Sequence, residues 1–283
     1  MASVEISTYL SGYKPIPAAV AEWDDTRAAT WPATTASLVS GNGHAVLVDA
    51  LMTVREGKAL ADWVAAAGGG LDAVYVTHAH ADHFFGATSL LGAIPTARLV
   101  TRAEIVDAAA VQTAPGYLRV WNGFFPAQLA EHPRVPEAVA GELLLGESPV
   151  VRAVLVGQSD VEVSSVVHVP DLDVVVSGDV VYNGIHPWLA GSTPATRSAW
   201  LAALDTVEQL APRTIIAGHR DPAAIDDDAA RLLDQTRDYI ADFDQAATTA
   251  GNAGELVAAM MARYGSFGNE YTLWVAAGSQ FAA

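Results

Sequence analysis

The sequence predicts an α/β fold in which apolar strands alternate with helices. Short runs of apolar and β-branched residues at 71–76, 173–178 and 213–217 have the length and composition of buried strands. Longer segments with helical periodicity, at about 54–66 and 196–209, separate runs of this kind. Histidines and aspartates follow the ends of these strands, where a loop can direct several side chains to one point.

The first half opens with a predicted hairpin. Strand-like runs at 36–39 and 45–49 flank Gly41-Asn42-Gly43, a sequence that favours a tight reversal of the chain. Asp49 ends the second of these runs. Beyond it the pattern predicts, in order, a helix at about 54–66, a strand at 71–76, a strand at 97–101 and a helix at 102–110.

An irregular segment at 112–149, rich in proline and aromatic residues, separates the two halves. Its aromatic residues allow two interpretations, either the apolar wall of a substrate pocket or the core of a small helical cap. The residues concerned are Tyr117, Trp121, Phe124 and Phe125.

The second half repeats the succession of strands and helices. The pattern predicts strands near 150–156, 161–169 and 173–178, a helix at 196–209, a strand at 213–217, and helices near 224–247 and 253–263. We see no domain boundary, so we expect residues 1–283 to form one domain with a helical C-terminal tail. A chain of this length with 51% hydrophobic residues can bury a large core.

The charge balance limits the classes of partner. The chain carries 15 Lys and Arg against 32 Asp and Glu, a formal net charge of −17. Without a basic stripe the sequence disfavours nucleic-acid substrates and favours a small molecule. The sequence shows neither a secretory signal nor an apolar run long enough for a membrane span, so we expect a cytoplasmic protein without membrane contact. The oligomeric state stays open.

The segment 77–83 reads Thr-His-Ala-His-Ala-Asp-His and directly follows a predicted strand. Three imidazoles and one carboxylate in so few positions are typical of a metal site. The candidate ligands are His78, His80, Asp82 and His83, and they suit zinc first, with iron or manganese possible. The chain has no cysteine, so a thiolate ligand is excluded.

Two further segments extend this motif into a family resemblance. Val176-Ser177-Gly178-Asp179 and Ile215-Ile216-Ala217-Gly218-His219 each end an apolar run on a possible ligand. Together with His-x-His-x-Asp-His, they resemble the metallo-β-lactamase superfamily of metal-dependent hydrolases, which includes lactonases and glyoxalase II-like thioesterases. The resemblance covers about residues 30–225. It implies a four-layer αββα sandwich with the metals at one edge of the two sheets.

The resemblance also implies the ligand sets for one or two ions. His78, His80 and a third ligand would hold the first metal. Asp82, His83 and His219 would hold the second, with Asp179 bridging the two ions. Asp49, at a strand end, would brace the metal loop by hydrogen bonds, as an aspartate there commonly does in the family.

The third ligand of the first metal departs from the family pattern. Family members carry Gly-His-Thr or Gly-His-Ser about twenty residues before the bridging aspartate, whereas this chain has Gly157-Gln158-Ser159-Asp160. Gln158 therefore stands at the histidine position. Its amide oxygen is a weaker donor for zinc, so we expect a first site that binds metal less tightly or is completed by water.

The expected function is hydrolysis of a small ester, lactone, thioester or amide by a metal-bound hydroxide. Asp179 would orient the water, and Asp82 would serve as proton acceptor when only the first metal is present. His186, on a loop after Asp179, would contact the substrate or shuttle protons, or be structural. Alternatives are a non-hydrolytic metalloenzyme of the same fold (a natural-product cyclase, dehydratase or isomerase, or an iron-dependent enzyme) and a degenerate metal-binding protein.

Overall fold

Two β-sheets packed face to face form the centre of the fold. The computed structural model describes residues 4–20, 22–24, 26–145 and 148–281. The strands within these ranges are β1 (Glu5–Leu10), β2 (Lys14–Pro15), β3 (Thr30–Trp31), β4 (Thr35–Gly41), β5 (His44–Val48), β6 (Gly70–Tyr75), β7 (Arg98–Arg102), β8 (Glu137–Val139), β9 (Glu142–Leu145), β10 (Ser148–Gly157), β11 (Ser164–Val169), β12 (Val174–Asn183) and β13 (Thr214–Arg220).

The helices cover the outer faces of the sheets. They are α1 (Val54–Ala67), α2 (Ala81–Phe84), α3 (Ala87–Ala93), α4 (Ala103–Gln112), α5 (Pro115–Phe124), α6 (Pro194–Gln209), α7 (Ala229–Thr249), α8 (Ala253–Tyr264) and α9 (Glu270–Phe281). No helix in the described part of the chain is long and apolar enough to cross a membrane.

Each sheet mixes parallel and antiparallel strands. The first sheet has the order β1-β4-β5-β6-β7-β8, and the second has the order β13-β12-β11-β10-β9. Within the first sheet β5, β6, β7 and β8 run parallel, and within the second β12 and β13 run parallel. The carboxyl ends of parallel neighbours lie at the same edge of a sheet, so loops leaving β5 and β6 start side by side, as do those leaving β12 and β13.

Three apolar clusters define four layers. Val46 and Val100 of the first sheet meet Val167 and Ile216 of the second in the cluster between the sheets. A second cluster joins the outer face of the first sheet to helices α1, α3, α4 and α5. The third joins the outer face of the second sheet to α6, α7, α8 and α9. The αββα sandwich expected from the sequence is therefore confirmed.

The predicted helices and strands occur in the expected order, with shifts of a few residues at their ends. The clearest difference lies in β12, which we expected to end at 178 but which continues to Asn183. Its pairing with β13 shifts register on both sides of Gly178. Asp179 thus projects from an irregular point within a strand, because the register shift turns it away from a regular ladder position.

The segment 112–149 contributes to both halves of the sandwich. Helix α5 covers its first part, β8 extends the first sheet beside β7, and β9 pairs with β10 at the edge of the second sheet. Phe125 is fully buried in the cluster beneath these elements, and Trp121 is 8% exposed.

Candidate metal centre

The histidine motif occupies the turn that leaves β6. His78 and His80 lie in the loop, and His80 is the N-cap of the short helix α2, which carries Asp82 and His83. The backbone N–H of Ala50 donates to the carbonyl oxygen of His83 at 2.7 Å, which fastens this helix to the chain leaving β5. The motif is thus anchored to the edge of the first sheet on both sides.

Two glycines make room for the side chains that come from the second sheet. Gly178 has a φ of +50°, and a Cβ atom there would lie 2.5 Å from Thr77 Oγ1. A Cβ atom on Gly218 would lie 2.6 Å from Asp179 Oδ1. Because these distances are too short for any other residue, Gly178 lets the second sheet approach Thr77 at the edge of the first, and Gly218 leaves room for the side chain of Asp179 on the neighbouring strand.

The first group consists of His78, His80, Asp160 and Asp179, whose ligand atoms lie within 4.8 Å of one another. Asp160 Oδ2 lies 2.7 Å from His80 Nδ1 and 3.8 Å from His78 Nε2. Asp179 Oδ2 lies 3.9 Å from His78 Nε2. Two ligand atoms on one tetrahedral zinc ion are separated by about 3.3 Å, given bonds of about 2.0–2.1 Å. These distances scatter about the separation expected for atoms that share an ion.

The second group consists of Asp82, His83 and His219. His219 Nε2 lies 3.3 Å from Asp82 Oδ2, and His83 Nε2 lies 3.9 Å from the same oxygen. Asp179 reaches this group as well, since its Oδ1 lies 3.1 Å from His83 Nε2 and its Oδ2 lies 3.1 Å from His219 Nε2. Asp179 therefore lies between the two groups, as the sequence predicted for a bridging residue.

Hydrogen bonds outside the groups fix the orientation of the rings. His83 Nδ1 lies 2.8 Å from Asp49 Oδ2, and His219 Nδ1 lies 3.0 Å from the carbonyl oxygen of Ala33. Thr77 donates to Asp49 through its N–H and its hydroxyl, so its oxygen is left to accept from His78 Nδ1 at 3.0 Å. With a metal bound, each of these three rings would keep its proton on Nδ1 and present an unprotonated Nε2 to the site. Asp49 braces the loop as predicted.

Buried atoms without partners mark where ions fit. Among the described residues, His78 Nε2, His83 Nε2, Asp160 Oδ2 and Asp179 Oδ1 are buried and make no hydrogen bond. Nitrogen atoms of these histidines lie 3.1–3.9 Å from carboxylate oxygens. The lone pairs of the nitrogen and oxygen atoms repel each other unless a cation lies between them. The donor set of imidazoles and carboxylates suits zinc, iron or manganese. The residues therefore fit the metals that the sequence implies.

The titration of the ion-free groups reflects the same arrangement. Burial opposes the charged form of His219, but Asp179 and Asp82 outweigh it and raise the pKa of His219 to about 9. Burial likewise disfavours ionised Asp179, but His219 and His83 hold its pKa well below the ordinary value. Protons thus occupy the space between nitrogen and oxygen atoms when no metal does, and metal binding has to displace them.

Six of the seven predicted ligands lie in the two groups, and Gln158 is the exception. Its amide nitrogen donates to the backbone oxygens of Ser159 at 2.8 Å and Val161 at 2.9 Å. The carboxylate beside His78 and His80 belongs instead to Asp160, two residues further along the chain. In this structure the side chain of Gln158 folds onto its own loop, and its role as a ligand stays a prediction.

A narrow pocket opens onto both groups. His80, Asp82, Asp179 and His219 are the members of the two groups that line it. Its walls are mainly aromatic, and the remaining lining residues are Trp31, Pro32, Trp121, Tyr182, His186, Trp188 and Thr272. The described lining contains no lysine or arginine.

The aromatic residues of the segment 112–149 divide between the pocket wall and the core. Trp121 lines the pocket, where its ring lies 5.5 Å from that of Trp31, whereas Phe125 packs beneath and is absent from the described lining. Phe124 is half-buried and touches the Trp31 ring, and Tyr117 is 47% exposed. The segment thus supplies one residue of the wall and one of the core.

His186 contributes one buried atom to this pocket. Its Nδ1 lies 2.8 Å from the hydroxyl of Tyr239, and its Nε2 has no hydrogen-bond partner among the described residues. Burial lowers the pKa of His186 to about 4, so the ring is neutral near pH 7. Since the Tyr239 hydroxyl has no other acceptor among the described hydrogen bonds, it donates to Nδ1 and leaves the ring proton on Nε2. This favours hydrogen-bond donation to a substrate over proton shuttling.

Two residues at the site were not predicted from the sequence. Trp31 donates from Nε1 to Asp82 Oδ2 at 2.8 Å, and the Tyr182 hydroxyl donates to Asp179 Oδ2 at 2.8 Å. Tyr182 follows Asp179 by three residues, but only the register shift in β12 brings its side chain back to the carboxylate. Trp31 reaches the site through the fold, and no local pattern indicates it.

Comparison with known proteins agrees with this fold and shows the family. The family model of the metallo-beta-lactamase superfamily matches residues 29–219. Similar solved structures include a metallo-beta-lactamase family protein from Thermus thermophilus, with 19% identity, 94% of this chain and 91% of that chain covered, and a TM-score of 0.62. A metallo-beta-lactamase from Pontibacter korlensis shares 16% identity over 86% of this chain and 100% of its own, with a TM-score of 0.59. No curated protein matches the sequence.

Proposed function

The chain belongs to the metallo-beta-lactamase superfamily, and on this premise we propose that it is a metal-dependent hydrolase of a small, uncharged ester, lactone, thioester or amide. The observation that carries the proposal is the set of buried, unpartnered ligand atoms beside the pocket, of which Asp179 Oδ1 belongs to a lining residue. His78 and His80 would hold the first metal, Asp82, His83 and His219 the second, and Asp179 would contact both. Zinc is the first candidate metal.

A bound cation would supply Lewis acidity, lowering the pKa of a water molecule from about 15.7 toward 7 and polarising a carbonyl group. The chain's own residues hold the site carboxylates in place and orient the substrate. Tyr182 and Trp31 each donate to one of the site carboxylates, which restricts how Asp179 and Asp82 can turn. His186 would donate from Nε2 to a substrate oxygen. The aromatic walls exclude bulk water, which strengthens the electrostatic interactions inside.

The lining favours an uncharged substrate. Anionic substrates are commonly bound by lysine or arginine, and the described lining has neither, whereas it presents two aspartates. The mainly aromatic walls suit a small aromatic or aliphatic acyl compound by their polarity.

The proposed function is tested with paired substrates of equal size that differ only in charge. We expect hydrolysis of uncharged esters or lactones, with kcat/KM at least about tenfold above that of the carboxylate-bearing counterparts. A charge mismatch that costs the transition state ~1.4 kcal/mol is enough for a tenfold difference. A chelator should suppress this activity, and zinc should restore it. A metal-loaded protein that hydrolyses no member of the ester, lactone, thioester and amide panel would refute the proposal.

The division between pocket wall and core gives a matched pair of variants. Phe125→Ala should lower the free energy of unfolding by ~3–5 kcal/mol while leaving KM near that of the wild type, because Phe125 is buried beneath the pocket. Trp121→Phe keeps an aromatic ring at this position but shortens the wall, and should raise KM about tenfold. Chemical denaturation and steady-state kinetics measure both. The reverse assignment of effects would sink this division.

A further inference from the structure

The segment 157–160 places the side chains of Gln158 and Asp160 in opposite surroundings. Gly157, with a φ of +85°, turns the chain at the end of β10. Gln158 then donates both hydrogens of its amide to backbone oxygens of the same loop, at 2.8 and 2.9 Å. The amide nitrogen is therefore satisfied locally, and this side chain closes the loop on itself.

The side chain of Asp160, in contrast, is directed at the histidines of the metal centre. Its side chain is fully buried, and its Oδ1 accepts a hydrogen bond of 2.8 Å from the hydroxyl of Ser159. Ser159 is in turn fixed by Ser164, whose strand β11 bridges to His78. With Oδ1 bound in this way, Oδ2 is directed at the two histidines of the loop.

The surroundings of Asp160 Oδ2 call for a positive charge. The oxygen is buried and makes no hydrogen bond of suitable geometry, and its nearest polar neighbour is His80 Nδ1, at the ion-pair distance of 2.7 Å. His78 Nε2, 3.8 Å away, is buried and has no hydrogen-bond partner among the described residues. A buried carboxylate is costly without a cation beside it. The oxygen and the two nitrogens would form a triangle of ligand atoms about a single ion.

We propose that Asp160, and not Gln158, is the third protein ligand of the first metal. The first site is then a set of two histidines and one carboxylate, with Asp179 as the ligand shared with the second site. The inference rests on the metal centre of the proposed function, but not on the reaction. An aspartate neutralises one unit of cation charge that histidine or glutamine would leave, and its oxygen favours iron or manganese relative to an all-imidazole set.

The test compares metal content in Asp160→Ala and in Gln158→Ala, its matched control two residues away. Elemental analysis of proteins purified without chelator should give two ions in the wild type and in Gln158→Ala, but one in Asp160→Ala. Chelator competition should show first-site affinity weakened at least about 100-fold in Asp160→Ala, more than the 10–100-fold typical of residues that only support a ligand. Asp160→Asn, which preserves size, covers the case in which the alanine variant fails to fold, and should also bind more weakly.

Asp160→His separates a ligand from a residue that merely positions His80. If Asp160 is a ligand, the new imidazole should restore two zinc ions and lower the affinity for manganese relative to zinc by about tenfold. Electron paramagnetic resonance of the manganese-loaded proteins provides a signature of that change. Two ions in Asp160→Ala, or their loss in Gln158→Ala, would overturn the inference. If metal content behaves as expected while no substrate is hydrolysed, the ligand assignment stands and only the proposed function fails.

Discussion

Replacing His219 by alanine should remove the second metal and lower kcat/KM by at least about a thousandfold. This ring presents Nε2 to both Asp82 and Asp179, so its loss leaves the second group with a single imidazole. The several kcal/mol of charge stabilisation that a cation supplies correspond to a factor of this size. Elemental analysis and steady-state kinetics measure the two effects.

The fold should survive this change, because His219 lies at the end of β13 and makes one hydrogen bond outside the site, to Ala33. His132→Ala is the matched control, since the side chain of His132 is 89% exposed and belongs to neither metal group. Circular dichroism checks that both variants are folded. An alanine variant at His219 with full metal content and activity would remove this residue from the site.

Asp49→Asn should weaken metal binding and destabilise the protein together. Asp49 accepts from the N–H and hydroxyl of Thr77 and from Nδ1 of His83, and it is 1% exposed. The NH₂ group of asparagine would face donors from which Asp49 accepts. Each donor left unpaired should cost about 1–3 kcal/mol of the free energy of unfolding. Metal affinity should fall about 10–100-fold, the usual effect of losing a residue that orients a ligand.

Asparagine is the informative replacement because Asp49 has a φ of +60°, a conformation that asparagine tolerates better than alanine does. The matched control is Asp72→Asn, a half-exposed carboxylate that contacts His44 on the first sheet. Chemical denaturation and metal competition titrations give the two quantities. Unchanged affinity and stability in Asp49→Asn would show that the brace is unimportant.

The sequence predicted the parts of the site that are local or belong to a recognisable motif. His78, His80, Asp82 and His83 are close in the chain, and one strand end brings them to one place. Asp179 and His219 were assigned from a family resemblance, and the fold brings them to the same edge. The order of strands and helices followed from hydrophobic periodicity, which reports burial directly.

The remaining features depend on geometry that spacing does not encode. Counting residues back from Asp179 selected Gln158, whereas the direction of each side chain depends on the turn at Gly157. The short strands β8 and β9 lie in a proline-rich segment with little periodicity, so their places in the two sheets were not foreseen. Trp31 and Tyr182 reach the carboxylates only through the folded arrangement of β3 and the irregular β12.

The central claim is that the two groups of buried histidines and aspartates each hold a divalent cation. Its most direct test is the metal content of the wild-type chain, purified without chelator and measured by elemental analysis. The account predicts two ions per chain, reduced in His78→Ala and in His219→Ala. Background metal only, even after incubation with excess zinc, manganese or iron, would contradict it.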